Sequence, residues 1–168
     1  SIGAGQFVHA IRRNLNMCYI IENNGVYGLT KGQFSASADI GSKPKKGLPN
    51  QQEPIDPVST ALSLGATYIA RSFSGDKEQL VPLIQGALSH DGFALVDVIS
   101  PCVTFNDHEG SAKSYAHTRQ FYHHVVDAEG FGVLDALAWG ASQTPEGRAP
   151  RRLQRSFVRV PIVASTRS

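Results

Sequence analysis

Cysteine is scarce in this sequence: 168 residues contain two, Cys18 and Cys102, which stand 84 positions apart. Such a pair excludes a disulfide scaffold and a complete four-cysteine zinc site. No uninterrupted apolar run approaches the ~18 residues of a transmembrane helix. A secretory signal pattern is missing too, because Arg12 and Arg13 follow the first apolar residues instead of preceding them. The expectation is a cytoplasmic protein with no membrane partner. Lysine is absent from residues 119–168, which carry 7 arginines and 4 acids, whereas residues 1–118 carry 9 Lys/Arg against 10 Asp/Glu. The basic tail has no regular basic face, so nucleic acid is not an expected partner either.

What remains is a composition of 41% hydrophobic and 18% charged residues, which suits one globular domain with a buried core. Gln6–Arg13 reads as a helix, with Val8 and Ile11 three apart. Met17–Ile21 is a short continuous apolar run of the kind found in buried parallel strands. Residues 34–57 are rich in Ser, Gly, Pro, Lys and Gln and predict a long surface loop, a length uncommon unless functional.

Asp56-Pro57 then opens a helix, with Asp as N-cap and Pro at the first helical position, and Gly65 ends it. Thr67–Arg71 reads as a strand. Asp76 caps a helix whose Leu80, Leu83, Ile84, Ala87 and Leu88 form one apolar face, and Phe93–Ile99 is a second buried strand. Helix–strand repeated three times predicts an α/β fold with a mainly parallel sheet flanked by helices.

In such a sheet, ligands bind beyond the carboxyl ends of the strands. Two of those ends carry candidate chemistry: Asn23-Asn24-Gly25-Val26-Tyr27-Gly28-Leu29-Thr30-Lys31-Gly32-Gln33, and Ser100-Pro101-Cys102-Val103-Thr104-Phe105-Asn106-Asp107. The first offers an amide oxygen, backbone carbonyls, a hydroxyl and a lysine. Magnesium takes oxygen ligands and usually shares them with phosphate, so Asn24 with a carbonyl two residues later suits it. By residue type alone the same Asn-Asn-Gly is equally a plain turn, and Lys31 a solvated surface lysine. Cys102 is a small buried hydrophobe or a ligand, and Cys18, inside an apolar strand, reads as core.

Other candidates carry less. His123 and His124 are adjacent, so on a helix they diverge by about 100° and do not chelate together. His117 and His124 share a helical face without an evident partner. Ser59 and Ser63 lack the G-x-S-x-G elbow of a nucleophilic serine. Gly3-Ala4-Gly5 is no Rossmann-type phosphate turn.

The segment Asn-Asn-Gly-Val-Tyr-Gly-Leu-Thr-Lys-Gly-Gln resembles the second half of the thiamine diphosphate motif of the β subunits of 2-oxoacid:ferredoxin oxidoreductases. The likeness continues through Ala61–Arg71 to Phe105-Asn106-Asp107 and covers residues 1–118. It implies the back half of a thiamine diphosphate-binding domain, with Asn24 and the Val26 carbonyl as Mg²⁺ ligands and Leu29 and Thr30 in the turn that holds the diphosphate. Lys31 matches a lysine of the family's mobile loop near the active site and coenzyme A. Cys102 matches the fourth ligand of a [4Fe–4S] cluster. The Gly-Asp-Gly half of the motif and the other three cysteines belong to an upstream part, so the sequence is expected to begin mid-domain.

The implied reaction is oxidative decarboxylation of a 2-oxoacid to acyl-CoA and CO₂. Its implied partners are an α (or fused α/γ) subunit, ferredoxin, coenzyme A and the 2-oxoacid. A non-oxidative thiamine enzyme, such as a 2-oxoacid decarboxylase or acetolactate synthase, needs no cluster ligand at Cys102. A non-catalytic assembly module is the reading from another class, and the isolated chain is expected to have little activity. Residues 119–168 depart from the family as an atypical Arg-rich extension, the composition expected of a shifted reading frame in a GC-rich gene or of a divergent tail.

Overall fold

The computed structural model describes residues 2–121. The His123–His124 pair and nearly all of the Arg-rich extension lie outside the described residues. Within them the elements run α1 (Ala4–Arg12), β1 (Met17–Asn23), β2 (Val26–Tyr27), β3 (Gln33–Phe34), α2 (Pro57–Ser63), β4 (Tyr68–Phe73), α3 (Lys77–Leu88), β5 (Phe93–Ile99) and α4 (Tyr115–Phe121). Strands β1, β5 and β4 form a three-stranded parallel sheet in that order, with β5 in the centre. Strands β2 and β3 form a separate antiparallel hairpin, which the apolar pattern of the sequence does not announce.

Alternation along the strands sends side chains to two faces. On one face Tyr68, Ala70, Ala94, Val96 and Val98 receive Leu80, Leu83, Ile84 and Ala87 of α3. On the other, Ile69, Phe93 and Leu95 receive Ile11 of α1 and Ala61 of α2. The rings of Phe7, Tyr19 and Phe93 cluster there with centroids 5.4–6.0 Å apart. The result is a helix–sheet–helix sandwich, as the repeated helix–strand pattern predicts.

Three expectations need correction. Strand β1 is not buried on all sides. It lies at the edge of the sheet among the described residues, and Ile20 is 45% exposed. Leu88 falls off the α3 apolar face and is 69% exposed: it is the last residue of the helix, and the neighbouring Ala87 takes the buried position there. The 34–57 segment is not purely a surface loop, since Ala38, Ser42 and Asn50 are buried in it. Asn50 Nδ2 ties it together by donating to the carbonyls of Ala38, Asp39 and Gln52.

Helix starts follow the sequence closely. Asp56 accepts from Val58 N at 3.1 Å and Asp76 from Gln79 N at 3.1 Å, each satisfying a helix N–H that has no partner in its own turn. Besides capping α2, Asp56 pairs with the Arg71 guanidinium, which also donates to Asp97 at 2.8 Å. Burial alone would raise the Asp56 carboxyl. The charge of Arg71, with hydrogen bonds from Ser59, Arg71 and Val58 N, outweighs it and holds the group below its ordinary 3.8. Burial likewise pulls Arg71 down, and the two carboxylates more than restore it.

A carboxyl lowered on folding contributes stability above its unfolded value, and that contribution is lost as pH falls through the folded one. Asp56→Ala should therefore destabilise the protein by about 1 kcal/mol or more at pH 7 from the lost cap. The gap to wild type should narrow in denaturant melts below pH 3.8; a gap independent of pH would rule out the ionic part of this account.

Candidate functional site

At the carboxyl end of the sheet, β1 and β5 release the two segments singled out from sequence. Ser100 N donates to Asn23 O at 3.1 Å, so the segments leave the sheet side by side. The two asparagines at the end of β1 differ in what they hold. Asn23 turns into the protein, where its Nδ2 donates to buried Asp97 at 3.1 Å and its Oδ1 accepts from Ser37 at 2.7 Å. Asn24 Oδ1 accepts from Val26 N at 3.0 Å and closes a small turn. A carbonyl oxygen has two lone pairs, so one remains for a metal.

The hairpin places the second oxygen. The carbonyls of Gly25 and Tyr27 face β3, accepting from Ser35 N and Gly32 N at 2.9 Å each. Val26 lies between them, and alternation turns its N–H and carbonyl the other way, to the side where Asn24 Oδ1 stands. Two oxygens thus share one side of the hairpin, a donor set that fits a hard cation such as Mg²⁺.

Beyond Tyr27 comes a five-residue tip. Leu29 is 99% exposed, and Lys31, also exposed, has φ 78. Thr30 Oγ1 donates to Gln33 Oε1 at 2.5 Å across the tip. The N–H groups of Leu29 and Thr30 have no partner among the described residues and are open to an anion.

The Cys102 turn lies directly against this hairpin. Cys102 is half-buried, and a methyl group on Gly28 would stand 3.4 Å from its Sγ. A Cβ on Gly32 would meet the Phe105 side chain at 3.0 Å. Asn106 Nδ2 donates to Asn24 O at 2.7 Å. Cys18 is the other free cysteine; it packs half-buried against the α3-side core, as expected, where burial raises its thiol. No three His, Cys, Asp or Glu side chains come together as a metal-binding set among the described residues. Cys102 therefore offers a cluster one thiolate of the usual four.

The structure thus sets Asn24 and Val26 together at the base of the hairpin, Leu29, Thr30 and Lys31 at its tip, and the Cys102 turn against its Gly28 and Gly32. It also shows polar residues that sequence reasoning passed over. Behind the Asn23 turn is a pocket of about 170 Å³, lined in part by Asp39, Asp56, Arg71 and Lys113. Lys113 is buried and pairs with Asp39 at 3.0 Å. A lysine in a polar stretch gives no sign of burial, and none of these pairs has a sequence spacing that would reveal it. No helix among the described residues is long and apolar enough to cross a membrane.

This combination of a parallel α/β sheet with an oxygen-rich turn beyond its strand ends is that of a cofactor-binding α/β domain. The family profile described as thiamine pyrophosphate enzyme, C-terminal TPP binding domain, matches residues 1–98, and the chain belongs to that family. It is 49% identical over 107 residues to a 2-oxoacid:ferredoxin oxidoreductase subunit beta of Sulfolobus sp, covering 63% of this chain and 35% of that protein. The 2-oxoglutarate oxidoreductase subunit KorB of Mycobacterium tuberculosis is 40% identical over 109 residues, covering 64% of this chain and 29% of that one.

Among solved structures, 2-oxoglutarate:ferredoxin oxidoreductase from Magnetococcus marinus, with 2-oxoglutarate, coenzyme A and succinyl-CoA bound, superposes with a TM-score of 0.64. It is 34% identical, covering 89% of this chain and 50% of that chain. The chain spans about a third of the length of these curated relatives.

The tight seat of the Asn24 turn is testable. Gly25 has φ 71, and a Cβ there would lie 3.1 Å from both Asn106 Nδ2 and Lys113 Cδ. Gly25→Ala should cost about 1–3 kcal/mol from backbone strain and crowding together. Thermal melts of the two proteins check this, and an unchanged Tm would mean that the turn is looser than its contacts indicate.

Proposed function

We propose that this chain is the thiamine diphosphate-binding back half of the β subunit of a cytoplasmic 2-oxoacid:ferredoxin oxidoreductase. The complete enzyme would convert a 2-oxoacid and coenzyme A to acyl-CoA and CO₂ and pass the electrons to ferredoxin. Residues 1–118 form the binding part, and residues 119–168 are an extension outside it. The observation that carries this reading is the pair of oxygens, Asn24 Oδ1 and the Val26 carbonyl, on one side of a hairpin that rests on the Cys102 turn. The ligands named for the Magnetococcus marinus structure support a 2-oxoacid substrate and coenzyme A.

Thiamine diphosphate, when bound, supplies the nucleophilic carbon and the electron sink that decarboxylation of a 2-oxoacid requires. The role of this chain is to hold and orient it. Asn24 and Val26 give Mg²⁺ two of its roughly six oxygen ligands, leaving the others to the diphosphate, water and residues outside this chain. The Leu29 and Thr30 N–H groups would donate to diphosphate oxygens at the hairpin tip, as would the Thr30 hydroxyl once turned away from Gln33 Oε1. Lys31 brings a positive charge on an exposed, strained backbone position, suited to an anionic substrate or to coenzyme A. Cys102 would contribute one thiolate to a [4Fe–4S] cluster completed elsewhere, and its closeness to Gly28 supports an exit for electrons near the diphosphate turn. A cluster ligand at this place favours oxidative chemistry over a simple decarboxylase. The α subunit is needed to complete the substrate pocket.

The test uses the complete subunit assembled with its partner. Asn24→Ala should weaken Mg²⁺-dependent thiamine diphosphate binding in calorimetry by about tenfold or more, in the range seen when metal-site groups are removed. Cys102→Ala should abolish the wild-type paramagnetic signal of the reduced cluster while thiamine diphosphate still binds. Retention of that signal in Cys102→Ala, or wild-type ferredoxin that stays oxidised with 2-oxoacid and coenzyme A present, would defeat the proposal.

A further inference from the structure

We propose that Asn106 is the positioning residue of the metal turn, clamping Asn24 to the turn that carries Cys102. The inference rests on the reading above, in which Asn24 faces Mg²⁺, and it assigns a role to a residue outside the ligand set. Asn106 is 3% exposed, and both ends of its side-chain amide are hydrogen-bonded. Its Nδ2 donates to Asn24 O at 2.7 Å, across 82 positions of sequence. Its Oδ1 accepts from Ser111 Oγ at 2.7 Å. Its own backbone N–H donates to Cys102 O at 2.7 Å. One residue therefore grips both loops of the site, the Cys102 turn through its main chain and the Asn24 turn through its amide.

The orientation of that amide is determined by its surroundings. Ser111 Oγ accepts from Lys113 N at 3.3 Å, and its one proton has both Asn106 Oδ1 at 2.7 Å and Asn106 O at 3.0 Å within reach. The Asn24 carbonyl can only accept, so the NH₂ group must face Asn24, which leaves Oδ1 to Ser111. A flipped amide would set Oδ1 against the Asn24 carbonyl, two acceptors at hydrogen-bond distance.

Fixing the Asn24 carbonyl fixes the peptide between Asn24 and Gly25. Val26 N holds the Asn24 side chain at the other end, at 3.0 Å. The proposed metal-facing oxygen is thus restrained through the main chain by Asn106 and through the side chain by Val26. Glycine at position 25 lets the clamp close, since any Cβ there would crowd Asn106 Nδ2. A ligand already held in its bound geometry loses less entropy when the ion arrives, so the clamp acts on metal affinity.

The experiment titrates Mg²⁺ at fixed thiamine diphosphate by isothermal calorimetry, on the complete subunit assembled with its partner, and records Tm for each variant. Asn106→Ala removes the donor to Asn24 and should raise the Mg²⁺ Kd about tenfold. Asn106→Ser is too short to reach Asn24 and should behave alike, which keeps the test open if the alanine variant does not assemble. Ser111→Ala leaves the amide donor in place; it should lower Tm comparably but raise the Kd less than about threefold. A Kd that tracks Tm across all three variants would make Asn106 a general stability residue and overturn the proposal, as would an unchanged Kd in both Asn106 variants. Wild-type protein that binds no Mg²⁺ would overturn the reading of the site itself, and this inference with it.

Discussion

A carboxylate on the central strand organises the ligand-binding end of this fold. Asp97 lies on β5 with 0% exposure, and each of its oxygens is engaged by a neighbouring strand, one by Arg71 of β4 at 2.8 Å and the other by Asn23 of β1 at 3.1 Å. A buried ion without partners would cost several kcal/mol, so these contacts must form together with the sheet. They reach further through Arg71 to Asp56, and through Asn23 to Ser37. Helix α2 and the loop before it are thereby tied to the strand ends. The lower part of the same face is apolar and contributes burial; the upper part is polar and contributes direction.

The arrangement of the candidate site follows from that network. Because Asn23 is committed to Asp97 and Ser37, the chain leaves β1 in one direction, and Asn24 begins the turn. The hairpin then lies on the Cys102 turn through Gly28 and Gly32, positions where a side chain would crowd Cys102 or Phe105. Close approach of the two backbones is what seats the hairpin on the Cys102 turn. It is obtained through missing side chains as much as through those present.

On the proposed reading, these residues supply only part of a cofactor site. Two oxygens on the hairpin, two open N–H groups at its tip and one thiolate are fewer groups than Mg²⁺, a diphosphate and an iron–sulfur cluster take together. The half-exposed edge of β1 has the same character, an apolar strand whose outer side is left open among the described residues.

Much of this protein could be read along the chain because the signals are local. Caps at Asp56 and Asp76, the apolar faces of α1 and α3 and the β-branched strand runs act within a few residues of themselves. They determined the helix–strand order and hence the parallel sheet. The Asn24–Thr30 and Cys102 segments were legible by their likeness to a known motif, together with their place at strand ends. What only the tertiary structure decided are interactions between residues far apart: Asp97 with Arg71 and Asn23, Lys113 with Asp39, Asn106 with Asn24. A hydrogen bond across 82 positions leaves no periodicity, and a polar residue looks the same in sequence whether water or another side chain satisfies it. Burial decides which it is, and burial exists only once the strands have paired.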